Sequence, residues 1–392
     1  MKHMAKPNPD NFQTTREFAL ASFEQYAKTY EQGHLSRRHW EEYNHVRVFF
    51  LGCMDGRHDF ERVCKLPTGT VRTYGMRGAF NLGSPWFGHL LVSDVERDVV
   101  KHGYALVIES FHFSKCNNAG LGCKAYGHDL TAAREGINLQ LAQSRFVWQQ
   151  EARVLVVAWG YDTDKGDIYM VSEDGSKGTY VSELGIEPSE ASVRALLKQY
   201  YPSATEKHVK EMAYLILRNS EYIRELKDGV QTVDHTERIV IFGRGALGVF
   251  DINTAFRVGP FSDDLFAPLG TAMGIIKQNL EAGRIPSDRE ILLITAALCE
   301  DPHNGPHVRQ CQLKAGHFKH AGLEYLFGAP GATKLNELQE SLQTLKGKVD
   351  VLAGYFEPDM KFIEVCDEDL PNAHLLPKWP LPKVANGKRP DC

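Results

Sequence analysis

From Val46 onward the chain repeats one pattern: a short run of consecutive apolar residues, a glycine or polar turn, then a longer stretch with helical spacing. The runs Val46 to Leu51, Ala105 to Ile108 and Val154 to Ala158 are unbroken rather than alternating. Unbroken runs of this length predict strands buried on both faces, hence an α/β fold whose mostly parallel sheet is flanked by helices. Before them, residues 11 to 45 set Phe12, Phe18, Phe23, Tyr26 and Tyr30 at helical spacing among Glu and Arg, which predicts one or two arm helices. From Leu370 to Cys392 the chain is rich in proline and charge and is expected to run as an extended tail.

The two halves resemble each other. Val48-Phe49-Phe50-Leu51-Gly52 is matched 191 residues later by Ile239-Val240-Ile241-Phe242-Gly243. Arg72-Thr73-Tyr74-Gly75 resembles Phe256-Arg257-Val258-Gly259 at an offset of 184, and Leu106-Val107-Ile108 resembles Leu292-Leu293-Ile294 at 186. Similar offsets in the same order predict a duplicated α/β unit. The expected division is an N-terminal helical arm over 1–45, a catalytic domain over 46–234, and a second repeat with its tail over 235–392.

Charge narrows the partners. Forty-five Lys and Arg face fifty Asp and Glu, a formal charge of −5, with no long block of either sign. Neither nucleic acid nor a membrane surface is therefore expected as a partner. No apolar run exceeds a strand's length, and Met1 to Asp10 lacks the apolar core of a signal peptide, so a cytoplasmic protein is expected. Eight cysteines in a chain of 392 residues read as reduced thiols rather than a disulfide framework, which leaves them free to bind metal.

Two clusters sit where an α/β sheet puts its active site, in loops after strands. Cys53-Met54-Asp55-Gly56-Arg57 follows the first strand; His112-Phe113-Ser114 closes a later one, with Cys116 and Cys123 beyond it. Two thiolates and one imidazole suit zinc with an open fourth position, and such a zinc brings the pKa of its water toward ~7. Asp55 could orient the resulting hydroxide, with Arg57 holding the carboxylate through a bidentate pair. The structural alternative is a closed site in which Cys116 joins Cys53, His112 and Cys123.

Cys-x-Asp-x-Arg closing one strand, with His closing another and a Cys soon after, resembles the β-type carbonic anhydrases. The resemblance implies that Cys53, His112 and Cys123 bind Zn2+, that Asp55 and Arg57 form a dyad beside it, and that zinc-bound hydroxide hydrates CO2 reversibly to bicarbonate and a proton. It also implies a homodimer or higher homo-oligomer. The usual His-x-x-Cys is absent, since position 115 is Lys115 and the cysteines lie four and eleven residues after His112. That longer spacing, with Gly122-Cys123-Lys124-Ala125-Tyr126-Gly127, looks like the carboxysomal shell carbonic anhydrase, or ε class, whose fused second half has lost its ligands. Here Arg244, Ala246 and Gly248 stand at the positions of Cys53, Asp55 and Arg57, so one metal site per chain is expected. The 45 residues before the first strand are fewer than the carboxysomal enzymes carry, which speaks against carboxysome targeting. Phe80 and Trp86 are candidates for a pocket wall, and His58 or His128 for proton transfer to buffer. The same ligands would also serve hydrolysis of carbonyl sulfide or carbon disulfide, or a non-catalytic homologue.

Two other signals compete. Gly243-Arg244-Gly245-Ala246-Leu247-Gly248 fits the dinucleotide pattern Gly-x-Gly-x-x-Gly, but the stretch Val249 to Thr254 after it is β-rich where that fingerprint needs a helix. Asp263 and Asp264 follow Pro260 rather than a strand, so a glycine turn is expected instead. His303, His307, His317 and His320 lie in what reads as a Gly- and Pro-containing surface loop.

Overall fold

In a computed structural model of the chain, the residues described are 7–43, 46–76, 85–115, 122–226, 236–243, 249–250, 254–259, 266–328 and 337–371, with backbone alone at 76, 85–87 and 124. The first unit contains α2 (His34–Tyr43), β1 (Val46–Cys53), α3 (Phe60–Val63), β2 (Val71–Met76), α4 (Pro85–His102), β3 (Tyr104–Phe113), α5 (Leu130–Trp148), β4 (Val154–Asp162), β5 (Asp167–Val171), β6 (Gly178–Tyr180), α6 (Glu190–Tyr200) and α7 (Glu206–Glu225). The second contains α1 (Thr15–Gln32), β7 (Ile239–Gly243), β8 (Ala255–Val258), α8 (Ala267–Glu281), β9 (Ile291–Leu298), α9 (Gly305–Phe327), α10 (Glu337–Leu342), β10 (Val349–Phe356) and β11 (Phe362–Glu364). The two helices of the N-terminal segment thus go to different units. Among the described residues no helix is long and apolar enough to cross a membrane.

The unbroken apolar runs are explained by helices on both faces of the first sheet. Val48 and Phe50 of β1, Leu106 and Ile108 of β3, and Leu155 and Val157 of β4 pack with Val209, Met212 and Ile216 of α7. The intervening Phe49, Leu51, Ala105, Val107, Val156 and Ala158 pack instead with Leu91 and Val95 of α4 and Ile137 and Leu141 of α5. Each strand therefore needs apolar residues at both parities. In the second unit Phe18, Ala19, Phe23 and Tyr26 of α1 join Ile239, Ile241, Leu292, Ile294 and Leu352 in one core. The Phe23 ring lies 5.2 Å from Phe356 and 4.5 Å from Phe362 between centroids.

Strand order is β2-β1-β3-β4-β5-β6 in the first sheet and β8-β7-β9-β10-β11 in the second. The first four strands of each are parallel, and those that follow are antiparallel. The repeat extends to register. Val48 pairs with both Val71 and Leu106, and their counterparts at offsets of 191, 184 and 186, Ile239 with Ala255 and Leu292, pair in the same way.

Three expectations change or fall outside view. The histidine segment is a helix, not a loop: Asn304 caps α9, and Pro306 sits in its first turn, where its missing N–H costs nothing. Residues 244–248, at the counterpart of the Cys53 loop, lie outside the described residues, although the element following β7 is the strand β8. Of the tail, residues 372–392 lie outside as well.

Candidate metal centre

The first sheet reverses its direction of growth between β1 and β3, since β2 lies on one side of β1 and β3 with β4 on the other. Loops leaving adjacent strands in opposite directions open a crevice at this switch point. Cys53 ends β1 and His112 is the penultimate residue of β3, so both lie at that edge.

The loop after β1 is shaped by its own polar residues. Asp55 Oδ1 accepts from the Arg57 backbone N–H at 2.9 Å, a turn the Asx side chain makes with its own chain two residues on. The Arg57 guanidinium then closes on the same carboxylate, Nε to Oδ1 at 3.0 Å and a terminal nitrogen to Oδ2 at 2.6 Å. Both residues are buried, Arg57 at 1% and Asp55 at 4% exposure, so removing either partner would strand a charge. Asp59 caps α3 by accepting from the Arg62 N–H and ends the loop.

His58 holds this loop from behind. Its Nδ1 accepts from the Cys53 N–H at 3.2 Å, which puts the ring proton on Nε2, 2.9 Å from Ser110 Oγ. A Cβ on Gly52 would stand 2.7 Å from the Phe50 ring and 2.9 Å from His58 Nδ1, so glycine there lets the imidazole reach the strand end. With 1% exposure and both nitrogens engaged, His58 cannot carry protons to bulk water, which corrects one of the two shuttle candidates. The other, His128, is exposed; its Nδ1 bonds the Gly122 carbonyl at 2.8 Å and its backbone N–H the Cys123 carbonyl at 3.0 Å.

Cys123 comes from the loop before α5, held by those His128 contacts and by the Tyr126 N–H on its carbonyl at 3.0 Å. The ligand atoms of Cys53, His112 and Cys123 all lie within 4.8 Å of one another. Both nitrogens of His112 are buried and neither makes a hydrogen bond of ordinary geometry, which a buried imidazole tolerates poorly unless something else takes its lone pair. His112 Nδ1 stands 3.9 Å from Asp55 Oδ2, so the carboxylate flanks the cluster.

The electrostatics also suit a cation. Contact with Cys123, and then burial, raises the Cys53 thiol well above its ordinary value, while the same contact, against burial, lowers Cys123. A second negative charge beside the first is therefore costly, and a divalent ion would let both sulfurs ionise. Desolvation works against charging His112, but Cys53 and Asp55 outweigh it and its pKa is raised. A Cys2His donor set of this kind, with an orphaned imidazole, fits zinc.

Cys116 and Phe80 lie outside the described residues, as does the side chain of Trp86. A second convergence of donors, Cys299, His307 and Cys311, is not visible in the sequence spacing. A loop over 303–320 would separate His307 from Cys311, whereas α9 sets them one turn apart.

No protein-family model and no curated protein matches the chain. Among solved structures, the crystal structure of the β-carbonic anhydrase CafA of the fungal pathogen Aspergillus fumigatus is similar over 47% of this chain and 98% of that one, with 16% identity and a TM-score of 0.29. Those figures carry no weight for the chemistry, which rests on the site's own geometry.

Proposed function

We propose that this chain is a zinc-dependent carbonic anhydrase that hydrates CO2 reversibly to bicarbonate and a proton. The carrying observation is the convergence of Cys53, His112 and Cys123 within 4.8 Å beside a buried, bidentate Asp55–Arg57 pair. Cys53, His112 and Cys123 would hold a zinc ion, which would bring the pKa of a water toward ~7 and supply a nucleophile at neutral pH.

The chain's own residues do the rest. Arg57 occupies both oxygens of Asp55, which would stop the carboxylate swinging in as a further ligand. Asp55, flanking the cluster 3.9 Å from His112 Nδ1, would accept the O–H of a water held there and set its direction, the kind of positioning that converts a chance encounter into a productive one. His58, through the Cys53 N–H, and the Tyr126 and His128 N–H groups on the Cys123 carbonyl would hold the two thiolates in place. His128, exposed beside Cys123, is the candidate to pass the product proton to buffer.

The test is zinc content and stopped-flow CO2 hydration of Cys53→Ala, His112→Ala, Cys123→Ala and Cys116→Ala. The first three should lose this zinc and all hydration above background, while Cys116→Ala keeps most of both. Loss with Cys116→Ala but not Cys123→Ala would replace the ligand set. Wild type that carries this zinc, turns over carbonyl sulfide and leaves CO2 untouched would overturn the substrate.

A further inference from the structure

We propose that Cys299, His307 and Cys311 form a second metal site, one suited to a thiophilic divalent cation such as zinc. The site lies in the second unit, and nothing in the function proposed above uses it. Cys299 directly follows β9, and its backbone N–H donates to the Phe356 carbonyl at 2.8 Å, which fixes it to the sheet. Asn304 caps α9 by accepting from the His307 backbone N–H, so the helix begins at a set phase and places His307 and Cys311 at i and i+4 on one face. One donor from a strand end and two from the first turns of a helix thus meet, with all three ligand atoms within 4.8 Å of one another. Zinc–sulfur bonds of about 2.3 Å and zinc–nitrogen bonds of about 2.0 Å would draw them to about 3.5–3.8 Å apart in a tetrahedral site, a small contraction.

Donor chemistry selects the cation. Both sulfurs are buried free thiols, Cys299 fully and Cys311 at 2% exposure, and two thiolates with an imidazole favour zinc over the oxygen-seeking magnesium and calcium. His307 is half-buried, and its Nε2 accepts from the Glu300 N–H at 3.2 Å, so the lone pair already faces the segment that leaves Cys299. On loading, that nitrogen would exchange the N–H for the cation, and the two thiols would release their protons to solvent. At an offset of 186, His112 falls on Leu298, the residue before Cys299, so the second unit uses the same sheet edge with a different donor set. The bland reading is that the cysteines merely pack with Ala297, Tyr355, Val365 and Leu370, with which they share a small apolar cluster. That reading explains the sulfurs, and the Glu300 N–H gives His307 a partner, but neither accounts for an imidazole within 4.8 Å of both sulfurs.

The experiment uses the full chain, equilibrated with zinc under reducing conditions, desalted and analysed for zinc per chain. Wild type should hold about two equivalents, and Cys299→Ser/Cys311→Ser and Cys53→Ser about one each. His307→Gln, which leaves both buried thiols in place, should also lose the second equivalent and serves if the serine variant folds poorly. With cobalt(II) in place of zinc, the thiolate-to-metal charge-transfer absorbance should fall by about half in the double variant. One equivalent lost with Cys299→Ser/Cys311→Ser but kept in Cys53→Ser would uphold this site and remove the first. Zinc content unchanged by both the double variant and His307→Gln would overturn the proposal.

Discussion

At the carboxyl end of β1, Gly52 leads into Cys53 and the buried Asp55–Arg57 pair; at the carboxyl end of β7, Gly243 leads into Arg244, with Ala246 and Gly248 at the corresponding later positions. The strands behind these loops agree in order and register. The two regions thus separate what packing preserves from what chemistry requires. A strand needs apolar residues at both parities wherever helices cover both faces, and any such set will serve. A metal site needs particular donors at particular loop positions, so replacing them removes the site and leaves the sheet intact.

The largest expected effect breaks the first region alone. Cys53→Ala should bring CO2 hydration down to the uncatalysed background in stopped-flow assays, while circular dichroism stays close to wild type. Retained hydration would mean the chemistry lies elsewhere. Next comes the core of the second region, where Phe23 is 2% exposed and touches Phe250, Phe356 and Phe362. Phe23→Ala should cost about 3–5 kcal/mol in denaturant unfolding. A cost below about 1 kcal/mol would show that α1 is dispensable to that core.

The turn glycines sharpen the comparison. A Cβ on Gly243, at φ +126°, would run into the Ala296 carbonyl oxygen, whereas on Gly52 the nearest atoms would be those of the Phe50 and His58 rings. Backbone cannot move aside as a ring can. Gly243→Ala should therefore destabilise by about 3 kcal/mol or more, and Gly52→Ala by about 1–2 kcal/mol while lowering activity through His58. Equal costs would refute the distinction.

Much of this was legible in the sequence, for reasons that differ by element. Val46 to Leu51 and its relatives are readable because burial on both faces leaves an unbroken run, and the repeat offsets are readable because register ties the strands together. Asp55 and Arg57 are two residues apart, so their pairing follows from local geometry. The destination of α1 does not, because Phe18 and Phe23 are joined to Phe250 and Phe356 only by the fold. His58 looks like a surface group in a polar loop until the Cys53 N–H and Ser110 are seen to enclose it. His307 and Cys311 become neighbours only once Asn304 starts a helix, with Pro306 inside it instead of breaking it.

A further effect concerns pH. Burial pushes Glu109 of β3 up from 4.5 to about 7, although a hydrogen bond from Ser144 works in the other direction. Between these values the folded chain holds a proton that the unfolded chain has lost, so stability is full below about 4.5 and falls as pH rises through about 7. Glu109→Gln should remove that slope, worth at most about 3 kcal/mol across the window. A variant whose stability follows pH as wild type does would place the carboxyl's titration elsewhere.

The central claim is that Arg57 keeps Asp55 off the metal so that a water can be held and aimed there, and CO2 hydration by wild type and Arg57→Ala at matched zinc content across pH 6–9 tests it most directly. Wild-type hydration should rise with pH through one titration near ~7, and Arg57→Ala should keep its zinc but fall by on the order of 10² or more, because the freed carboxylate takes the open position. Arg57→Ala hydrating CO2 at the wild-type rate with the same pH profile would contradict the account.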